Sequence, residues 1–302
     1  AILEVTGQAQ KKVYFLTGHG EASIAGKYSK AADGLRDELY LVEEISLITN
    51  PEIPEDCAAL IIPAPQTSFS DEEYLAIQRY LLTGGQVMIL TNPGSIPDVE
   101  DLVSLWGVNI VDGTLVDPSS SVAPNQEVIL VTTQRNYFYL PSVYFPGAAA
   151  IIPQTDLPES IKMMPLAWTT SNAWLDYDFV AGEDPVFDSE TEYRESLAIG
   201  VLIAEDKTVT GTSGKGLRLC VIGDSDFASN EHIDNANNRD LFLNSVSWLT
   251  DETSLITIRR SVQPFRLLTV NEAEKSFIQY SSVALIPVIV MIAAGVIWWR
   301  RR

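Results

Sequence analysis

One segment limits what this chain can fold into more than any other. From Ser276 to Trp299 no side chain is charged, and the run FIQYSSVALIPVIVMIAAGVIWW is followed at once by Arg300, Arg301 and Arg302. Roughly twenty apolar residues at about 1.5 Å of rise each cross the ~30 Å hydrocarbon core of a bilayer, so the sequence predicts one transmembrane helix over 276–299. A buried core helix is the alternative reading, but core helices are rarely so long and so evenly apolar. Tyr280 at one end and Trp298 and Trp299 at the other suit the aromatic belts at the two interfaces, and Pro287 is tolerated inside a membrane helix. The positive-inside rule then places the basic tail 300–302 in the cytoplasm. The expected location is the cell membrane, with a single C-terminal span and an extracytoplasmic body.

Forty acidic residues against twenty basic give a formal net charge of −20, and three of the basic residues lie beyond the predicted span. Such a surface repels phosphate backbones and anionic headgroups, which argues against nucleic acid as a partner. The plain reading of the charge is that it keeps the body soluble. The residues before the span suffice for one large or two small cored domains. The two cysteines, Cys57 and Cys220, each sit in an apolar run. Packed thiols are the default there, a disulfide between them stays open, and no zinc pattern can be built from them. The chain begins at Ala1 without a basic and then apolar leader, which suggests a removed leader or a missing N-terminal portion.

Short apolar runs alternate with helical periodicity along the first third. Val13–Thr17 reads as a strand closed by Gly18, His19 and Gly20, Tyr28–Leu39 as a helix, and Tyr40–Ile48 as a strand. Ala58–Ile62 is an unbroken apolar run, as expected of a strand buried on both faces. Ser70 before Asp71, Glu72 and Glu73 marks a helix start, Gly84 and Gly85 stop that helix, and Gln86–Leu90 supplies the next strand. This alternation predicts an α/β fold with a mostly parallel sheet flanked by helices. Between Thr114 and Arg194 the periodicity vanishes and Pro, Ser, Tyr and Trp become frequent, which predicts a β-rich insertion or subdomain. Ser196–Ala204 and Leu217–Ile222 then read as a hairpin, Asp240–Leu249 as a helix and Leu255–Ile258 as a last strand. The resulting division is 1–113 and 196–262 for the two parts of the core, 114–195 for the insertion, and 263–275 for a linker.

Two loops fall where an open α/β sheet keeps its ligand crevice, beyond the carboxyl ends of strands. The first carries His19 and Glu21; the second carries Asp224 and Asp226, with Asn230, Glu231 and His232 close behind. Together they would set an imidazole and several carboxylates around one cleft, an arrangement suited to a ligand, a partner or acid–base work. The metal version is weak, because the donors are hard oxygens from separate loops without a paired histidine motif. Asp and Ser at strand ends also serve simply as turn and cap residues. A nucleophile elbow would need Ser or Cys after Gln86–Leu90, where Asn92 and Pro93 stand instead. No phosphate-binding glycine motif is present, so the chain itself is not expected to hydrolyse ATP and no cofactor is expected. The aromatics Tyr137, Phe138, Tyr139, Tyr144, Phe145, Trp168 and Trp174 form either a binding surface or, more often in β-rich segments, sheet packing.

The order VYFLTGHGE, AALIIPAPQTSFSDEEYLAIQRYLLTGGQVMIL, LRLCVIGDSDFASN and RDLFLNSVSWLTDE, closed by a basic-tailed apolar helix, resembles the auxiliary subunits of ABC-type transport systems, including gliding-motility-associated members. The resemblance implies a non-catalytic extracytoplasmic domain similar to the intraflagellar-transport GIFT domain, whose core is like class I glutamine amidotransferases without their cysteine. It also implies an ABC permease and its ATPase as partners beside the lipid bilayer, and a further N-terminal membrane helix in the complete protein. The rival expectation is a membrane-tethered hydrolase, or a solute-binding receptor, using the crevice near His19, Asp224 and Asp226. The ligand and the transported substance are not legible.

Overall fold

The computed structural model describes residues 10–154, 157–211 and 215–250, together with Trp298, Arg300 and Arg301. The expected strand Leu255–Ile258, the linker and all but Trp298 of the expected span lie outside the described residues. Among the described residues no helix is long and apolar enough to cross a membrane.

The chain opens with β1 (Lys12–Leu16), α1 (Ser29–Asp37), β2 (Leu41–Ile45), β3 (Cys57–Pro63), α2 (Asp71–Leu82) and β4 (Gln86–Leu90). α1 stops where Leu39 turns back at φ +68° and the Tyr40 N–H closes on the Leu35 carbonyl. α2 begins with a complete capping box: Ser70 and Glu73 each receive the other's backbone N–H. α3 (Pro97–Ser104) and β5 (Val108–Val111) follow, two elements the sequence reading did not mark. Their signal was present, in Pro97 at the first turn and the spacing of buried Val99, Leu102 and Val103.

The β-rich segment supplies β6 (Thr114–Val116), β7 (Ser121–Val122), β8 (Asn125–Thr132), β9 (Ser142–Phe145), β10 (Ala150–Pro153), β11 (Ile161–Trp168) and β12 (Trp174–Asp176). β6 pairs with β12, and β7, β8 and β9 form a three-stranded sheet. β10 and β11 instead join the large sheet. β13 (Ala198–Glu205), the short α4 (Lys207–Thr210), β14 (Arg218–Ile222) and α5 (Asn238–Leu249) complete the body.

The large sheet runs β2-β1-β3-β4-β14-β13-β10-β5, with β11 also on β13. Pairing is parallel from β2 through β14 and antiparallel from β13 onward. β13 and β14 are therefore the expected hairpin partners, with Ala204 opposite Arg218. Alternate side chains feed two cores. Val13, Phe15, Ala59, Ile61, Cys220 and Ile222 meet α1 and α5 on one face, and Leu60, Ile62, Val87, Ile89 and Val221 meet α2 and α3 on the other. Both faces being covered is why these strands read as unbroken apolar runs. The edge strand β2 carries Glu43 and Glu44, which discourage pairing with another chain.

The register also defines two poles. Lys12, Cys57, Gln86 and Arg218 stand at the amino ends of the parallel strands, and the loops bearing His19, Ala64, Asn92 and Asp224 leave their carboxyl ends.

Candidate functional site

α1 and α2 leave β1 and β3 for opposite faces of the sheet, so the strand order reverses between these two neighbours. In open α/β sheets that reversal opens a crevice at the carboxyl ends. Here the crevice is stitched shut. The His19 carbonyl accepts from the N–H groups of Gln66 and Thr67 at 2.7 and 3.1 Å. Gly20, at φ +86°, lets the loop lie against Gln66, whose Cβ would be 2.9 Å from an added Cβ.

The imidazole of His19 is only 5% exposed and sits edge-on to Phe69 at 4.8 Å. Its Nε2 lies 3.2 Å from Oε2 of buried Glu73, the carboxylate of the α2 capping box. That same oxygen accepts from the N–H and Oγ of Ser70 at 2.9 and 2.7 Å. Burial pushes the Glu73 carboxyl up, but the Ser70 hydrogen bonds and the neighbouring imidazole outweigh it and leave the group below its ordinary range. Glu21 receives the His19 N–H at 2.6 Å through Oε2 and holds Oε1 3.7 Å from Nδ1. His19 Nδ1, Glu21 Oε1 and Glu73 Oε1 have no hydrogen-bond partner. The arrangement is an imidazole clasped between two carboxylates, with its polar atoms turned inward.

The second loop serves a different part of the fold. Asp224 is fully buried; Oδ2 accepts from Gly147 N–H at 3.0 Å, and Oδ1 accepts from Asp226 and Phe227 N–H at 2.8 and 3.1 Å. Burial raises its pKa to about 7 against the pull of those three donors. Gly223 is required here because a Cβ would sit 2.3 Å from the Ala149 carbonyl oxygen. Asp226 pairs with Lys27. Asn230 binds the Lys30 N–H, the Gly26 carbonyl and the Ser29 hydroxyl, fixing the segment that begins α1. A shallow depression of about 320 Å³ remains between Lys27, Asp226, Ser229, Asn230 and Glu231.

The expected single cleft is therefore not formed. β3 and β4 lie between β1 and β14, a separation of roughly 14 Å at about 4.8 Å per strand. His19 and Glu21 come together with Glu73, while Asp224, Asp226 and Asn230 organise Gly147, Lys27 and the start of α1. Glu73 was legible as a cap residue only, since its pairing with His19 spans 54 positions. Lys27 and Gly147 carried no sequence signal. Among the described residues, no group of three or more His, Cys, Asp or Glu side chains is placed to hold a metal ion.

Where a nucleophile elbow would stand, none of Thr91, Asn92 and Pro93 has a positive φ. The Asn92 side chain instead accepts the Ser225 N–H at 2.8 Å, tying the loop after β4 to the loop after β14. Cys57 and Cys220 are both free thiols, and burial pushes Cys220 up to about 12. The aromatics disperse. Phe145 packs on Phe227, Tyr144 on His232, and Trp174 and Phe187 both face the Arg194 guanidinium, whereas Tyr139 is exposed.

Residues 10–158, from β1 through β10, match the family described as an ABC-type uncharacterized transport system. The family that the sequence resembles is thus the one this stretch matches. The family name points to an auxiliary component of such a system. No curated protein matches the chain. Among solved structures, this family fold is similar to the mmIFT52 N-terminal domain, with a TM-score of 0.59 at 14% identity over 79% of this chain and 97% of that one. A ThuA-like protein from Parabacteroides merdae aligns with a TM-score of 0.46 at 10% identity, over 84% and 93% of the two chains. At these identities the likeness to the mmIFT52 domain concerns the fold alone.

Proposed function

We propose that the protein is a non-catalytic, extracytoplasmic auxiliary subunit of an ABC-type transport or surface-assembly system. The C-terminal span holds it beside a separate permease, and an ATPase partner provides the energy. The match of β1 through β10 to the transport family carries this reading. The geometry is in keeping with it. Catalysis needs groups that reach a substrate, yet His19 is buried against Glu73, Asp224 is sealed beneath Gly147, and Asn92 spends its side chain on the Ser225 N–H. We read the core as GIFT-like, and the overlap with the mmIFT52 domain supports that reading at the level of fold.

Gentle detergent extraction of the full chain from its native membrane tests the role. Permease and ATPase subunits are expected to co-purify in fixed proportion. Recovery of the chain alone, under conditions that keep the permease and ATPase together, overturns the proposal.

A further inference from the structure

The loop 133–141, which joins β8 to β9, holds a solvent-facing aromatic ring on strained backbone. Tyr139 has φ +54° and is 74% exposed. A bulky side chain at positive φ is an outlier that persists only where its surroundings over-determine it. Asn136 does so here. Its buried amide donates to the Thr132 and Leu140 carbonyls at 3.1 and 2.9 Å and accepts the Leu140 N–H at 2.8 Å, while its own carbonyl accepts the Tyr139 N–H at 3.2 Å. Arg135 pins the other side of the loop, donating to the Trp168 and Leu130 carbonyls at 3.2 and 3.3 Å. Phe138 and Leu140 pack inward on the core, whereas Tyr137 is exposed and stands edge-on to Phe138 at 5.2 Å. A shorter turn would close the β8–β9 hairpin without strain. What the strained loop adds is an outward pair of tyrosines on a rigid base.

We propose that this loop is a stacking platform for a neutral sugar chain. The exposed positions from Thr132 to Pro141 are Thr132, Gln134, Tyr137, Tyr139 and Pro141, and none carries a charge. Arg135 is neutralised beneath them by buried Asp117 at 3.7 Å. In a chain of net charge −20, such a patch offers nothing to a cation and no counter-charge to an anion. It does offer what a pyranose ring needs. The polarised C–H groups of a sugar face pack on the electron-rich face of an aromatic ring, and its hydroxyls bond to phenols and amides such as those of Tyr137, Tyr139 and Gln134. The loop turns its purely apolar side chains, Phe138 and Leu140, inward and its phenols outward. That division suits a hydroxyl-rich ligand better than an apolar groove on another protein. Because Asn136 fixes the rings beforehand, binding need not order them, which matters for a ligand held on one side only.

The test titrates the full chain, in phosphatidylcholine nanodiscs, with mannohexaose, cellohexaose and chitohexaose by calorimetry, and with hexagalacturonate as the charged comparison. At least one neutral hexamer is expected to bind saturably at about millimolar concentration, and the charged one more weakly. Tyr139→Asn removes the ring but keeps a residue that tolerates positive φ, so it is expected to weaken binding roughly tenfold without lowering the melting temperature. Tyr139→Phe is expected to keep most of the binding. If the Asn variant unfolds, Tyr137→Ser, on ordinary backbone, is expected to give a comparable loss. Absence of saturable heat with every neutral hexamer, undiminished binding by folded Tyr139→Asn, or preference for the charged hexamer overturns the proposal. Loss of permease co-purification in Tyr139→Asn, with no sugar binding by the parent, assigns the loop to a protein contact and overturns it too, while leaving the auxiliary role standing.

Discussion

Asp224 links burial to pH most directly. Its ordinary value is near 3.8 and its folded value about 7, so between these limits the unfolded chain gives up a proton that the folded protein retains. Stability from this group is complete below the lower limit and is lost as pH rises toward the upper one, at about 1.4 kcal/mol per pH unit. Urea unfolding of parent and Asp224→Asn proteins at pH 5 and pH 8 measures it. The variant is expected to show a smaller decline by a few kcal/mol, and an equal decline refutes the assignment. Glu73, held below its ordinary range, acts with the opposite sign and loses its contribution on acidification. Cys57 and Cys220 give a second test, because both are free and Cys220 is wholly buried. Alkylation without reductant is expected to spare Cys220 in the native protein and to modify both thiols once urea is added. The sequence showed that Asp224 ends a strand. That its carboxyl is sealed under Gly147 depends on a contact across 77 positions, which no local pattern encodes.

At the scale of elements, α2 carries two tasks through one carboxylate. Ser70→Ala removes a cap worth about 1 kcal/mol. Glu73→Ala removes the reciprocal bond and also strands His19 Nε2, at a cost of roughly 1–3 kcal/mol. The double variant is expected to lose less than the sum, since both side chains meet at Oε2, and a thermal-unfolding cycle reads the coupling. β14 makes the complementary point about close approach. Gly223→Ala forces a Cβ to 2.3 Å from the Ala149 oxygen and is expected to cost about 1–3 kcal/mol in the same assay. Helix and strand types were legible because apolar spacing and caps are local: α2 starts after Ser70 and β4 occupies Gln86–Leu90, as read. α3 escaped notice although Pro97 and the spacing of Val99, Leu102 and Val103 mark it, because eight residues span only about two turns.

On the scale of the whole molecule, charge and direction combine. The carboxyl pole holds His19 and Asp224, and at the amino pole Lys11 donates to the Thr250 carbonyl. Protease added to spheroplasts is expected to digest the acidic body and spare the arginine tail. The reverse pattern would invert the orientation and remove the proposed role.

The sequence alone determined the α/β alternation, the runs buried on both faces, the caps and the turn glycines, because each follows from spacing within a few residues. The family match over 10–158 was likewise legible in order and motif. Only the tertiary structure decided that β10 and β11 join the large sheet and that two strands separate the His19 loop from the Asp224 loop. The reason is physical: strand order and register are chosen by which faces can be buried together, and that choice joins residues tens to hundreds of positions apart.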